Sequence, residues 1–203
     1  MDNILNLIET RLFRAVDSND FDLVRKIINQ GADVNFQDGD GVTCLMHACQ
    51  HDLLEMAKLL VSLGADVNIK DSLGNTALII LCLVNPNNVF NDIVSFVKFL
   101  LVSGTDINIR DNTGHTVLEI VKNTFPDNHP NKKNKIINIL EKWPVIMGIL
   151  GLQQSGAYNS MDLRNIEDLF QYMGISEGGK KKSKKNNKKS KKNKRKSSKR
   201  KRK

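Results

Sequence analysis

The chain is short of most features on which catalytic or extracellular proteins rely. Aromatic residues fill only 5% of its 203 positions, with a single Trp, so any core must be built from stacked aliphatic side chains. Cysteine occurs three times, at Cys44, Cys49 and Cys82. An odd number at wide spacing excludes a disulfide framework and points to a reducing compartment. The longest apolar run, residues 77–84, is far too short to cross a bilayer, so no membrane insertion is expected. Residues 1–6 have neither the basic start nor the apolar stretch of a secretory leader, and the expectation is an intracellular, non-secreted protein. Catalytic signatures are missing too. The sequence has no Gly-x-Ser-x-Gly, no phosphate-cradling Gly-Lys-Ser/Thr, no His-Glu-x-x-His and no paired-cysteine zinc motif. Isolated carboxylates such as Asp38 and Asp71 read as turn residues. With no converging constellation of reactive groups, neither enzyme activity nor a cofactor is expected.

What is present is charge, unevenly placed. Of the 31 basic residues, 17 fall within residues 180–203, where there is no acid; the other 14 face all 22 acidic residues in the body. The body thus carries about −8 and the tail +17, so the overall +9 describes the tail rather than the folded part.

The body is repetitive. Gly31-Ala32-Asp33-Val34-Asn35 returns 33 residues later as Gly64-Ala65-Asp66-Val67-Asn68, and after a further 40 as Gly104-Thr105-Asp106-Ile107-Asn108. A second motif keeps step: Asp38-x-x-Gly41-x-Thr43-x-Leu45, Asp71-x-x-Gly74-x-Thr76-x-Leu78 and Asp111-x-x-Gly114-x-Thr116-x-Leu118. Both absorb the same seven extra residues, which places an inserted loop near Asn85-Pro86-Asn87-Asn88. The chemistry of each position is legible. Thr43, Thr76 and Thr116 stand where a helix N-cap is needed. Gly31, Gly64 and Gly104 end the second helix of each unit in a left-handed C-cap. Asp-x-x-Gly makes the tight turn leading into the next unit. No single unit can bury its apolar stripe, so the units must stack into a solenoid.

These residues resemble the ankyrin-repeat family over about residues 10–142, with its 33-residue period. The resemblance implies an all-α fold of helix-turn-helix units joined by short β-hairpin turns, followed by a C-terminal helical hairpin and a disordered tail. In register, a cap unit covers about residues 5–37, with Thr10, Leu12 and Ala15 aligned but no hairpin. Repeats follow at about 38–70, 71–110 and 111–142. The motif His of the family is replaced by Met46, Ile79 and Glu119, removing its hydrogen bond to Thr. Thr116-x-x-Glu119 can restore a cap as a capping box; units two and three have no such compensation, and below-average stability is expected. Phe125-Pro126-Asp127-Asn128-His129-Pro130 reads as another loop, and residues 133–142 as the second helix of the last unit.

The resemblance also places partner contacts on the hairpin tips and the exposed side of the first helices. They are Gln37, Gly39, Asp40, Val42, Gln50 and His51; then Lys70, Ser72, Leu73, Asn75, Leu83 and Val84; and in the last unit Arg110, Asn112, Thr113 and His115. The implied role is a scaffold, acting as a monomer, for an unidentified protein partner.

Residues 143–176 read as a separate helical module, with Pro144 in the first turn of one helix and a second helix carrying Leu163, Ile166, Leu169 and Phe170. This segment, with Trp143-Pro144 and Asp168-Leu169-Phe170-Gln171-Tyr172, resembles the C-terminal module of ankyrin proteins from giant DNA viruses of amoebae. That source would place the protein in the cytoplasm or nucleus of a host cell. Poxviral ankyrin proteins end in an F-box-like helix pair that recruits ubiquitin ligase; a plain capping pair accounts better for residues 143–174, with a ligase adaptor as the third reading. Residues 177–203 contain no apolar residue and cannot offset the entropy of folding, so a disordered tail is expected. Its densest clusters, Lys194-Arg195-Lys196 and Lys199-Arg200-Lys201-Arg202-Lys203, suit an import receptor or the phosphate backbone of nucleic acid. Without interleaved aromatics, such nucleic-acid binding would be sequence-blind.

One cluster invites a metal. Cys44, His47, Cys49 and His51 are ligand-rich, but on a helix Cys49 points about 140° away from Cys44. No metal is therefore expected, of this set or elsewhere in the chain.

Overall fold

The computed structural model describes residues 2–84, 93–124 and 130–149. These form four helix pairs: α1 (Asp2–Asp17) with α2 (Phe21–Asn29), α3 (Cys44–Gln50) with α4 (Leu54–Ser62), α5 (Ala77–Val84) with α6 (Ile93–Val102), and α7 (Val117–Thr124) with α8 (Pro130–Ile149). The first helices form one row, α1 on α3, α3 on α5 and α5 on α7, each backed by its own partner. Leu12, Leu45 and Leu78 recur at the 33-residue period and are all buried, whereas Leu118, on the last described inner helix, is only partly covered. The stack therefore buries what a lone unit would leave wet.

The units are joined by a ladder through the repeated asparagines. The Asp66 N–H donates to Asn35 Oδ1 at 2.8 Å, and Asn35 Nδ2 donates to Gly64 O at 3.3 Å. One unit on, the Asp106 N–H donates to Asn68 Oδ1 at 2.8 Å and Asn68 Nδ2 to Gly104 O at 3.0 Å. Within the cap unit itself the acceptor is not an Asn. Glu9, buried in α1, accepts the equivalent N–H of Asp33 at 3.4 Å. Asn108, in the third copy of the motif, turns back on its own Asp106 at 3.0 Å.

Hairpins stack as closely as helices. Asp71 Oδ1 accepts the N–H groups of Leu73 and Asn75, as expected of a turn residue. The Ser72 N–H then donates to Asp40 O, and the Asn112 N–H to Leu73 O, both at 2.9 Å. Gly74 takes φ +82°, and a Cβ there would stand 2.5 Å from Asn112 Oδ1 and 2.7 Å from its N. Gly114 has a similar φ of +85° but open space around it. Gly31, Gly64 and Gly104 adopt the expected left-handed C-cap, with φ between +96° and +98°. The turns are closed loops rather than strands: among the described residues, the β-structure is a single bridge between Arg110 and Thr116.

Three expectations are corrected. Unit two does have a substitute for the missing His: Thr43 accepts from the Met46 N–H at 3.2 Å while its own N–H reaches Met46 Sδ at 3.4 Å. Pro144 does not start a helix. It lies exposed inside α8, which begins at Pro130 rather than residue 133 and runs past the expected boundary after residue 142. Trp143 and Ile146 join the core instead, so the apolar spacing on either side of Lys142 belongs to one helix. The expected loop at residues 85–88, residues 125–129 of the loop expected at 125–130 (whose Pro130 instead opens α8), the helix carrying Leu163, and the tail lie outside the described residues.

Gly114→Ala should cost about 1–2 kcal/mol through backbone strain alone, and Gly74→Ala distinctly more, because Asn112 must also move. Leu45→Ala should cost about 2–5 kcal/mol. Urea unfolding of the three variants beside wild type checks the order; equal losses at Gly74 and Gly114 would contradict the hairpin stacking.

Candidate functional site

The turn between units, fixed by its aspartate, leaves a run of exposed residues at its tip (residues 37–40, 72–73 and 112–115), and the first helix of the next pair follows it. Of the sixteen expected contact positions, fourteen are exposed and Val42 is partly so. Asn75 is not among them. It is 7% exposed, and its Nδ2 donates to Asp71 Oδ2 at 3.1 Å, so it belongs to the turn and not to a contact surface. The family resemblance implied a contact position here, but the Asp71 carboxylate four residues away takes the side chain.

Several other members have structural duties. Gln37 Nε2 donates to Gly41 O and to Lys70 O, at 2.7 and 2.9 Å. Lys70 Nζ donates to Arg110 O at 2.9 Å, and Arg110 Nη1 to Gly114 O and Glu119 Oε2, at 2.6 and 3.1 Å. Asn112 Nδ2 donates to Ser72 O at 2.9 Å. These residues stitch one hairpin to another or to the following helix. The remaining exposed side chains differ in kind: Leu73 is 66% exposed on a hairpin tip, and Leu83 and Val84 are exposed at the end of α5.

The carboxylates here titrate in two directions. The Thr113 hydroxyl, followed by the His115 N–H, holds Asp111 below its ordinary 3.8. The Thr116 N–H and then its hydroxyl hold Glu119 below its ordinary 4.5, completing the expected capping box. Both therefore contribute stability that is present above the ordinary values and lost as pH falls through the depressed ones. Asp52 is opposite. Burial raises it above 3.8, against a lowering by Lys132, and its φ is +58°. Its contribution is fully present below 3.8 and lost as pH rises through the raised value.

The cysteines are not reactive groups. Burial pushes Cys44 up to about 12, with Asp17 and Asp38 adding to the effect, and burial alone pushes Cys82 to about 12. Cys49, fully buried, is also driven well up by burial, with Cys82 and Asp52 adding to it. A thiol held neutral in an apolar core is neither a ready nucleophile nor a ready metal ligand.

The family model for ankyrin repeats matches residues 12–111, in three copies. Residues 12–111 are ankyrin repeats. No curated protein matches the chain. The ankyrin stack spans the cap unit and the two following repeats described above, and all the hairpin stitches between residues 37 and 110 lie within it. No helix among the described residues is long and apolar enough to cross a membrane.

Asp52→Asn removes a charge that burial disfavours and keeps a residue type that tolerates positive φ, as Asn19 does at φ 53° one unit earlier. The variant should melt higher than wild type at pH 7, and the gain should shrink as pH falls toward 3.8. Thermal melts at both pH values check this. Iodoacetamide should label no cysteine of residues 44–82 in the folded state and all three in denaturant.

Proposed function

We propose that this protein is an interaction scaffold whose ankyrin hairpin tips and inner helices bind a protein partner, acting as a monomer. The observation that carries the reading is where exposed apolar surface falls. Three of the five exposed large hydrophobic side chains among the described residues, Leu73, Leu83 and Val84, belong to the contact face of a single repeat. Large side chains left in water on an otherwise well-buried stack mark a contact surface more than a solubility surface. Exposed Asp40, Ser72, Thr113, Gln50, His51 and His115 would supply the polar rim. Ankyrin repeats have no reaction in common, which supports binding over catalysis. The resemblance of the C-terminal segment to ankyrin proteins of giant amoebal viruses points to a host or viral protein as the partner. The ligase adaptor through residues 143–174 stays the third reading; Trp143, at the start of that segment, is buried in the core.

A second reading rests on the 17 basic residues of 180–203. An extended segment of this charge would engage an import receptor or nucleic acid, through Lys194, Arg195, Lys196 and residues 199–203. Addressing the protein to the nucleus is the favoured use, because Arg is confined to these last clusters.

The two readings separate in one experiment on affinity-captured partners. Binding should survive deletion of residues 177–203 and drop at least tenfold, by about 1.4 kcal/mol, in the triple variant Leu73→Glu, Leu83→Glu, Val84→Glu with an unchanged melting curve. Loss on tail deletion with no effect of the triple variant would overturn the scaffold reading in favour of the tail. For the tail, residues 177–203 fused to a cargo too large to diffuse through nuclear pores should accumulate in the nucleus and stop doing so when residues 199–203 become Ala. Graded loss that tracks total charge would instead indicate nucleic-acid retention, with a salt dependence approaching about −0.9 in log–log slope per phosphate neutralised.

A further inference from the structure

We propose that Asp17, His47 and His51 form a binding site for a divalent transition metal of the zinc type, at the junction of the first two units. The set differs from the four-residue cluster of Cys44, His47, Cys49 and His51. Both cysteines of that cluster are buried. The two histidines, four residues apart, share one side of α3 and its C-cap, the spacing at which paired imidazoles on a helix ligate one ion. The packing of α1 on α3 brings the third group. Asp17, the last residue of α1, presents Oδ1 to His47 Nε2 in a direct hydrogen bond. Ligand atoms of all three lie within 4.8 Å of one another.

The chemistry suits the ion. Two imidazole nitrogens and one carboxylate oxygen are borderline ligands, and zinc takes them in a tetrahedron with bonds of about 2.0–2.2 Å, which sets its ligand atoms about 3.4 Å apart. To reach that geometry the His47–Asp17 pair, now in direct hydrogen-bond contact, has to part around the ion, while no pair of ligand atoms is more than 4.8 Å apart. Phe13 packs edge-on against the His47 ring at a centroid distance of 6.1 Å, and the His47 and His51 rings lie 4.5 Å apart. His47 is therefore already oriented by its neighbours. The site also sits at the C-terminal ends of α1 and α3, where the exposed carbonyl dipoles favour a cation. Three protein ligands leave one tetrahedral position for water or a partner's side chain. Asp17 and His51 are solvent-exposed, so an ion has free access.

Zinc chloride titrated calorimetrically into the full chain should show one ion bound per chain. Asp17→Asn, His47→Gln and His51→Gln should each weaken binding by at least about tenfold, the scale on which even supporting partners of a metal site act, whereas His115→Gln should leave it unchanged. Cobalt(II) in place of zinc should give a visible spectrum of nitrogen and oxygen ligation without a thiolate charge-transfer band. His47 is partly buried and its variant can lose fold, so circular dichroism accompanies each titration, and the exposed His51→Gln and Asp17→Asn variants carry the decision on their own. No heat of zinc binding to the full chain, binding undiminished in both exposed variants, or a thiolate band with cobalt would each overturn the site.

Discussion

A backbone N–H in each of three successive turns is taken up by a side chain earlier in the chain, from the preceding unit in two cases and from within the cap unit in the first, and the stack depends on that exchange. The N–H groups of Asp33, Asp66 and Asp106 occupy the same place in three successive turns and are accepted by Glu9, Asn35 and Asn68. A turn that left this donor without a partner would forfeit about 1–3 kcal/mol. The return bond from each Asn to the glycine carbonyl of the next unit fixes spacing as well as energy. Inside the cap unit the equivalent donor is met by a different side chain, Glu9 reaching from α1 to the Asp33 N–H.

The close spacing has consequences for sequence freedom. The backbone of one hairpin lies against that of the next, which confines Gly74 doubly, by its φ and by Asn112. It also converts Gln37 and Lys70 from free surface groups into cross-braces between hairpins, while Arg110 ties its own turn to the following helix. What remains free to vary is the set of side chains pointing away from both neighbours. The exposed leucines and valine of unit three belong to that set, and their exposure costs the fold nothing it needs for stacking.

Burial divides the polar and reactive groups into two populations. Cys44, Cys49 and Cys82 sit in the core, where low polarity keeps the thiols neutral. His47 and His51 stand on the rim of the same helix that buries Cys44 and Cys49, each two residues from Cys49, yet meet Asp17 instead. Helical rotation of 100° per residue is enough to send neighbours in sequence to opposite fates.

The repeats, the helix ends, the turn aspartates and the glycine conformations were legible in the sequence, because each is enforced within a few residues by hydrogen-bonding or steric rules. The exposure of most of the hairpin and helix positions named from the sequence was legible for the same reason: position within a repeat decides which way a side chain points. Tertiary packing alone decided the rest. Asn75 turns inward because Asp71 is fixed by its turn to receive it, and α8 continues through Pro144 because Trp143 and Ile146 find a core to join. Glu9 becomes a ladder member, and Asp17 meets two histidines 30 and 34 positions away, only when α1 and α2 and the following unit have closed on one another. Periodicity states what a residue does for its own unit; contacts between units depend on three-dimensional neighbours that no local spacing encodes.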